Sequence, residues 1–255
     1  TVVSREDGSG TRGAFIELLG IEEKDADGNK VDNTTVEALI ANATDVMMTQ
    51  VAGNKAAIGY ISLGSLNPTV KALMVDGVAP STETVKDGTY KVARPFNIAT
   101  SGTVSDVAQD FINFILSAEG QEVVSGSYIK IDDAAAPFTS NGATGKIVVA
   151  GSSSVTPVME KLKEAYCALN AGATIEVQMT DSSAGMRSAI DGVCDIGMAS
   201  RELKDSELEA GLTATAIALD GIAVVVNPEN PLSDMSSDMI KQIYVGAVTN
   251  WEDVK

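Results

Sequence analysis

Short apolar runs bounded by Gly, Ser and Asn alternate along the chain with stretches whose apolar residues recur every three to four positions, as strands alternate with helices. Thr1-Val2-Val3 reads as the end of a buried strand, and Gly13 to Leu19 as the first turns of a helix ending near Gly20. The acidic stretch from Glu22 to Asn33 is expected to be a loop, and Thr35 to Met48 to be weakly helical. Ala56 to Leu63 is an apolar run of strand length, and Val70 to Val75 alternates like a strand before the turn signal Asp76-Gly77. Thr82 to Lys86 carries helix-start chemistry. Pro95 pushes Arg94 out of helical space, so Val92 to Thr100 is read as extended. Val104 to Leu116 is an amphipathic helix with Val107, Phe111, Phe114 and Ile115 on one face, and Ala118 to Val124 continues it as a second short helix.

Asp132 to Gly145 has no periodicity and the composition of a linker. Beyond it, Lys146 to Ala150 is a buried strand, Gly151 to Val155 a hydroxyl-rich loop, and Pro157 to Leu169 a helix with proline at its start. The pattern repeats in the strand Thr174 to Met179, the turn Thr180 to Gly185 and the helix Met186 to Gly192. Asp195 to Ser200 is a further strand, ending at Arg201-Glu202. Ala214 to Leu219 and Ile222 to Val226 read as two strands around Asp220-Gly221. Ser236 to Tyr244 is a helix capped by Ser233 or Ser236, and Trp251 sits in a terminal turn. Three strands thus each finish in a polar loop, and the carboxyl ends of parallel strands are where α/β sheets bind ligands.

Composition narrows the chemistry. The 255 residues suffice for one large domain or two smaller ones, and no run approaches the length of a membrane span. No charged-then-apolar leader opens the chain, so a soluble body is expected, with any signal or anchor outside it. A net charge of −17 argues against nucleic acid or an anionic membrane surface as partner. Histidine is absent, which removes Ser-His and Cys-His nucleophile pairs and His-based metal sites. Cys167 and Cys194 are too far apart for a metal knuckle or a Cys-x-x-Cys redox pair, and are either a disulfide or two buried thiols.

The stretch Ser4-Arg5-Glu6-Asp7-Gly8-Ser9-Gly10-Thr11-Arg12 carries the strongest chemical signal. It places two glycines, two hydroxyls and two arginines where a strand turns into a helix. Helix-start N–H groups favour an anion, and a guanidinium clamps an oxyanion through parallel hydrogen bonds. The plainer alternative is a capped strand-to-helix loop with a solvated arginine. Since the net charge repels anions at long range, capture must come from local donors.

These segments resemble a known family, the PstS-like phosphate-binding receptors of bacterial ABC importers, which are type II periplasmic binding proteins. The resemblance covers nearly the whole chain. It is carried by Ser4 to Thr11, by Gly151-Ser-Ser-Ser-Val-Thr-Pro157, by Asp181-Ser-Ser-Ala-Gly185 with Asp195 to Arg201, and by Asp220 to Asn227. The order departs from the family's: there the GSSSVTP segment comes first and the NWEDV segment directly precedes SREDGSGT, whereas this chain begins at SREDGSGT and stops at Asn250 to Lys255. The resemblance therefore implies a circular permutation, with 132–145 joining the family's old ends, or a window cut across a natural tandem.

The implied fold is α/β and two-lobed, each lobe a mostly parallel sheet flanked by helices, with the ligand in a cleft between lobes. One lobe is contiguous, 96–221, and the other combines 1–95 with 222–255. Arg5 is implied as the charged clamp, Asp7 as the acceptor that orients it, and Ser9, Gly10 and Thr11 as hydroxyl and backbone donors. From the other lobe come Ser153, Ser154 with the Val155 backbone, and Ser183. Arg201 stands where the family's best-known members carry an aspartate that accepts the proton of bound phosphate, so that Glu202, Asp181 or Asp220 supplies the acceptor or discrimination is weaker; alternatively Arg201 is a hinge ion pair with an acidic neighbour.

The implied function is an extracytoplasmic, non-enzymatic receptor for inorganic phosphate, a cell-surface lipoprotein or a periplasmic protein in its parent form. It would be a monomer without cofactor or metal, delivering its ligand to ABC permease subunits and touching a membrane only through an anchor outside this chain. The alternatives are another tetrahedral oxyanion (sulfate or molybdate), a permuted engineered binding scaffold, or, least in keeping with the sequence, a Ser-Lys hydrolase. No Ser-x-x-Lys motif accompanies either serine loop.

Overall fold

A computed structural model describes residues 1–254; Lys255, the last residue of the NWEDVK segment, lies outside the described residues. The chain divides into two compact units, one built from Thr1–Ala93 and the chain from Gly221 onward, the other from Arg94–Asp220.

In the first unit, β1 (Val3–Arg5) leads into α1 (Gly10–Leu18), followed by the hairpin β2 (Glu22–Lys24) and β3 (Lys30–Asp32). Next come β4 (Leu39–Ala41), α2 (Thr44–Ala52), β5 (Ile58–Ser62), the short pieces β6 (Lys71–Ala72) and β7 (Met74–Val75), and α3 (Thr82–Lys86). β1 pairs in parallel with β4, and Val2 forms a parallel bridge to Ile58. Val3, Ser4 and Arg5 are buried, as an interior strand requires. The Thr1 backbone nitrogen donates to the Ala56 carbonyl oxygen at 2.7 Å, and the same oxygen accepts from Trp251 Nε1 at 3.0 Å. Phe15 of α1 stacks on Tyr60 of β5 with ring centroids 3.9 Å apart, and Tyr244 packs on both.

The second unit opens with β8 (Ala93–Ser101), whose first residue belongs to the first unit, and continues through α4 (Asp106–Leu116), α5 (Ala118–Ser125), β9 (Gly145–Ser152) and α6 (Thr156–Leu169). β10 (Ala173–Thr180), α7 (Ser182–Ile190), β11 (Ile196–Ala199) and α8 (Asp205–Glu209) follow. β12 (Leu212–Val226) then carries the chain out of this unit at Asp220-Gly221. The strand order is β10-β9-β11-β8-β12. β9 runs parallel to β10 and β11, and β8 antiparallel to β11. The predicted amphipathic face of α4 is buried in a core with Phe96, Val149, Leu162, Tyr166 and Ile196. Back in the first unit, β5 and β6 pair antiparallel with the last residues of β12, and β13 (Asp234–Met235) precedes α9 (Ser237–Tyr244), capped by Ser236. Strand pairing is therefore parallel along β10-β9-β11 but antiparallel at β11-β8, and it is mixed in the first unit as well.

Several local expectations are corrected. Glu22 to Asn33 is a hairpin, because cross-strand backbone pairing needs no apolar side chains. Thr35 to Met48 splits into strand β4 and the start of α2, and Val70 to Val75 breaks at Leu73, whose N–H bonds Val224 O instead. Helix α1 begins three residues earlier than expected and α7 four, since small hydroxyl residues that resemble loop already form their first turns. The two strands expected on either side of Asp220-Gly221 are one continuous 15-residue strand, β12. The 132–145 segment is irregular apart from Gly145, which opens β9, yet it is tied down: buried Asp110 accepts from Ser140 Oγ at 2.7 Å and Asn141 N at 2.8 Å. Both cysteines are free thiols, and burial pushes the Cys194 thiol up to about 11.

Candidate functional site

The candidate donors fall into two sets, one in each unit. In the first unit, β1 ends at Arg5, which lies opposite Ala41 in the β1–β4 ladder. The strand end is fixed from below by Tyr60, whose hydroxyl lies 2.9 Å from Ser4 Oγ and accepts the Arg5 N–H at 3.0 Å. Burial pushes the Tyr60 phenol up to about 12, so it stays protonated. Arg5 is 2% exposed, and its guanidinium reaches Ala41 O at 3.0 Å, Thr44 Oγ1 at 3.5 Å, and both carboxylate oxygens of Glu6 at 2.8 Å. A fork-on-fork pair of this kind fixes the plane of the guanidinium as well as its position. The chain then turns at Asp7-Gly8, and Ser9 caps α1 by accepting the Arg12 N–H at 3.3 Å. Gly10 and Thr11, both buried, form the first helical turn, where backbone N–H groups point out of the helix.

Asp7 does not orient Arg5. Its side chain is 96% exposed and pairs with Arg12 at 2.6 Å, and Arg12 is also held by Asp32 and by the Arg5 carbonyl oxygen. Glu6 holds Arg5 instead. As the next residue after a strand end it returns along the same guanidinium, whereas Asp7 has already turned into solvent.

In the second unit the donors sit at the carboxyl ends of parallel strands, and glycines allow the close approach. Gly151 has φ +141°, and a Cβ there would lie 2.3 Å from Met198 O. A Cβ on Gly185 would meet the Gly151 Cα at 2.6 Å, so α7 packs directly on the β9 backbone. After β9, Ser153, Ser154 and Val155 are buried ahead of α6. Ser152 Oγ accepts the Ser154 N–H at 3.3 Å and donates to Ser200 Oγ at 2.9 Å, while Ser182 Oγ accepts the Ser200 N–H at 3.1 Å. Three serines from three elements thus tie the Ser153-Ser154 loop to the ends of β9 and β11.

Ser183, in the first turn of α7, accepts from Arg201 Nη2 at 3.2 Å. Arg201 is gripped by Glu207 of α8 through two bonds, at 2.8 and 2.7 Å. Burial raises the Glu207 carboxyl, but hydrogen bonds from Arg201 and from the Lys204 N–H, with the Arg201 charge, outweigh it and leave its pKa below the ordinary glutamate value. Of the carboxylates considered as substitutes for the missing aspartate, Asp181 caps α7 by accepting the Ala184 N–H at 2.8 Å, Glu202 accepts from Asn97 Nδ2 at 3.4 Å, and Asp220 pairs with Arg94 at 3.1 Å.

The second set therefore brings Ser183 and Arg201 into contact and holds Ser154 through Ser152. Glu6, Glu207 and the Ser152-Ser182-Ser200 chain escaped the sequence reading. Glu6 was visible as an acid next to the key arginine, whereas the approach of Glu207 to Arg201 depends on a short helix with no marked apolar pattern. Among the described residues, no group of three or more Asp, Glu or Cys could hold a metal ion, and no helix is long and apolar enough to cross a membrane. A cavity of about 320 Å³ in the first unit, lined by Val2, Leu39, Ile58, Ile243 and Trp251 among others, contains none of the donors.

Comparison with known proteins places the chain in a family. The model of the PBP superfamily domain matches residues 1–119 and 136–255. The phosphate-binding protein PstS 2 of Streptococcus agalactiae serotype V is 53% identical over 255 residues, 99% of this chain and 87% of the relative. PstS 2 of Streptococcus pneumoniae serotype 4 is 49% identical over 255 residues, 100% of this chain and 87% of the relative. The crystal structure of a phosphate ABC transporter phosphate-binding protein from S. pneumoniae TIGR4 superposes with a TM-score of 0.78 at 49% identity, covering 100% of this chain and 98% of that one. Matched nearly end to end by the family model and by these relatives, the chain belongs to the PBP superfamily and, within it, to the PstS phosphate-binding proteins.

Proposed function

We propose that this chain is an extracytoplasmic receptor that binds inorganic phosphate and hands it to an ABC transporter, with no catalytic step of its own. The observation that carries this is the 53% identity, across nearly the whole chain, to a protein named as phosphate-binding. The donor chemistry supports it independently: a plane-fixed arginine, two serine loops and helix starts suit a tetrahedral oxyanion. The residues proposed to bind phosphate are Arg5, Ser9, Gly10 and Thr11 in the first unit and Ser153, Ser154, Val155 and Ser183 in the second. The receptor acts as a monomer and meets permease subunits during delivery. The binding test is calorimetry with phosphate on the wild type, Arg5→Ala and Ser154→Ala. Loss in both variants is expected, and full binding in either removes that unit from the site.

We propose further that the order of segments is a rotation of the wider family's, joined through 132–145. The family model's interruption at 120–135, beside this irregular segment, supports that reading, and the streptococcal relatives share the present order along the full match.

A further inference from the structure

The Arg201 guanidinium is a cation at the end of a binding strand, yet its charge is already answered. Four of its five N–H groups are engaged: two by Glu207, one by the Glu202 carbonyl oxygen at 2.9 Å and one by Ser183 Oγ at 3.2 Å. Glu207 is itself locked, because the Lys204 N–H donates to it at 2.8 Å, and both side chains are about one-tenth exposed. Ser183, by contrast, is half-buried and reachable. A hydroxyl has one proton and two lone pairs. With Arg201 occupying a lone pair, the remaining proton points away from the guanidinium and is available to an acceptor.

We propose that Arg201 is a positioning residue: clamped and neutralised by Glu207, it acts on the bound anion only through Ser183, fixing that hydroxyl as a donor. The proposal rests on the phosphate-receptor reading and deepens it. It makes Ser183 a donor that favours an unprotonated oxygen of the anion, since an ionised oxygen is the stronger acceptor for a hydroxyl proton. It also makes Glu207 the brake on affinity at this end of the site, because it cancels a charge that would otherwise attract any oxyanion.

Calorimetric titration with inorganic phosphate, and in parallel with sulfate, tests this on the full chain. Ser183→Ala and Arg201→Lys are each expected to weaken phosphate binding about tenfold, the scale of one hydrogen bond with a charged partner. Lysine keeps the charge and can still pair with Glu207, but lacks the fork that reaches both partners. The double variant is expected to bind no more weakly than Ser183→Ala alone, and Glu207→Gln to bind both anions several-fold more tightly, roughly as an uncovered surface charge does. Thermal unfolding of each variant separates loss of folding from loss of binding. Unchanged phosphate affinity in Arg201→Lys overturns the proposal, as does a double variant weakened by the product of the single effects or weaker binding in a folded Glu207→Gln. A wild type that gives no heat with phosphate overturns the receptor reading along with it; a binding wild type with a flat variant series overturns the positioning role alone.

Discussion

Arg5 concentrates the chemistry of the first unit, and its environment says which substitution is informative. Its guanidinium meets Ala41 O and both oxygens of Glu6, so the fork matters more than the charge. Arg5→Lys keeps the charge and is nonetheless expected to lose roughly 100-fold in phosphate affinity, measured by calorimetry, because an ammonium cannot match two partners in one plane. Gly151 makes a residue-scale prediction about stability. With φ +141° and Met198 O only 2.3 Å from where a Cβ would sit, Gly151→Ala is expected to destabilise the protein by about 2–4 kcal/mol in denaturant unfolding. Retained stability would mean that the β9–β11 approach is looser than the backbone shows.

Single elements show where sequence patterning suffices. The buried runs of β5 and β9 and the apolar face of α4 were legible, because burial on one or both faces leaves a periodic trace. The two hydroxyl-rich loops were legible as strand-to-helix turns on local grounds: glycine, serine and a following helix lie within a few residues. The strands Glu22–Lys24 and Lys30–Asp32 were not, being short, charged and largely exposed. The continuity of β12 through Asp220-Gly221 was not legible because the partner of Asp220, Arg94, lies 126 residues away; that buried ion pair lets a charged residue and a glycine continue the strand. Replacing Asp220 alone by Ala is expected to cost about 3–5 kcal/mol, and Arg94→Met with Asp220→Leu to recover most of it, since the penalty comes from an uncompensated buried charge. A double variant as unstable as the single one would contradict this. Acid sensitivity belongs to the same scale. Burial pushes the Glu207 and Asp110 carboxyls up, but hydrogen bonds to each outweigh it, so their folded-state pKa values lie below the ordinary 4.5 and 3.8. Each contributes stability that is present above its unfolded-state value and lost as pH falls through the folded one. Stability measured by urea unfolding is therefore expected to decline as pH drops below about 4.5, and to decline less in Glu207→Gln.

At the scale of the whole molecule, the proposed rotation of segment order predicts that chain order and function are separable. Thr1 and Trp251 meet at one carbonyl oxygen, that of Ala56, so the two ends of the described chain lie side by side within the first unit. A chain with these ends joined by a short Gly-Ser linker and reopened inside 132–145 is expected to fold and bind phosphate, which circular dichroism and calorimetry would report. Failure of that chain to fold would show that the Asp110 anchor on Ser140 and Asn141 is indispensable. Every role assigned to the two donor sets depends on the identity of the anion. Titration of the wild-type chain with phosphate, sulfate and molybdate in separate calorimetric runs decides it: one phosphate bound per chain, with sulfate and molybdate much weaker, is the expected result, and heat with sulfate or molybdate but none with phosphate would contradict it.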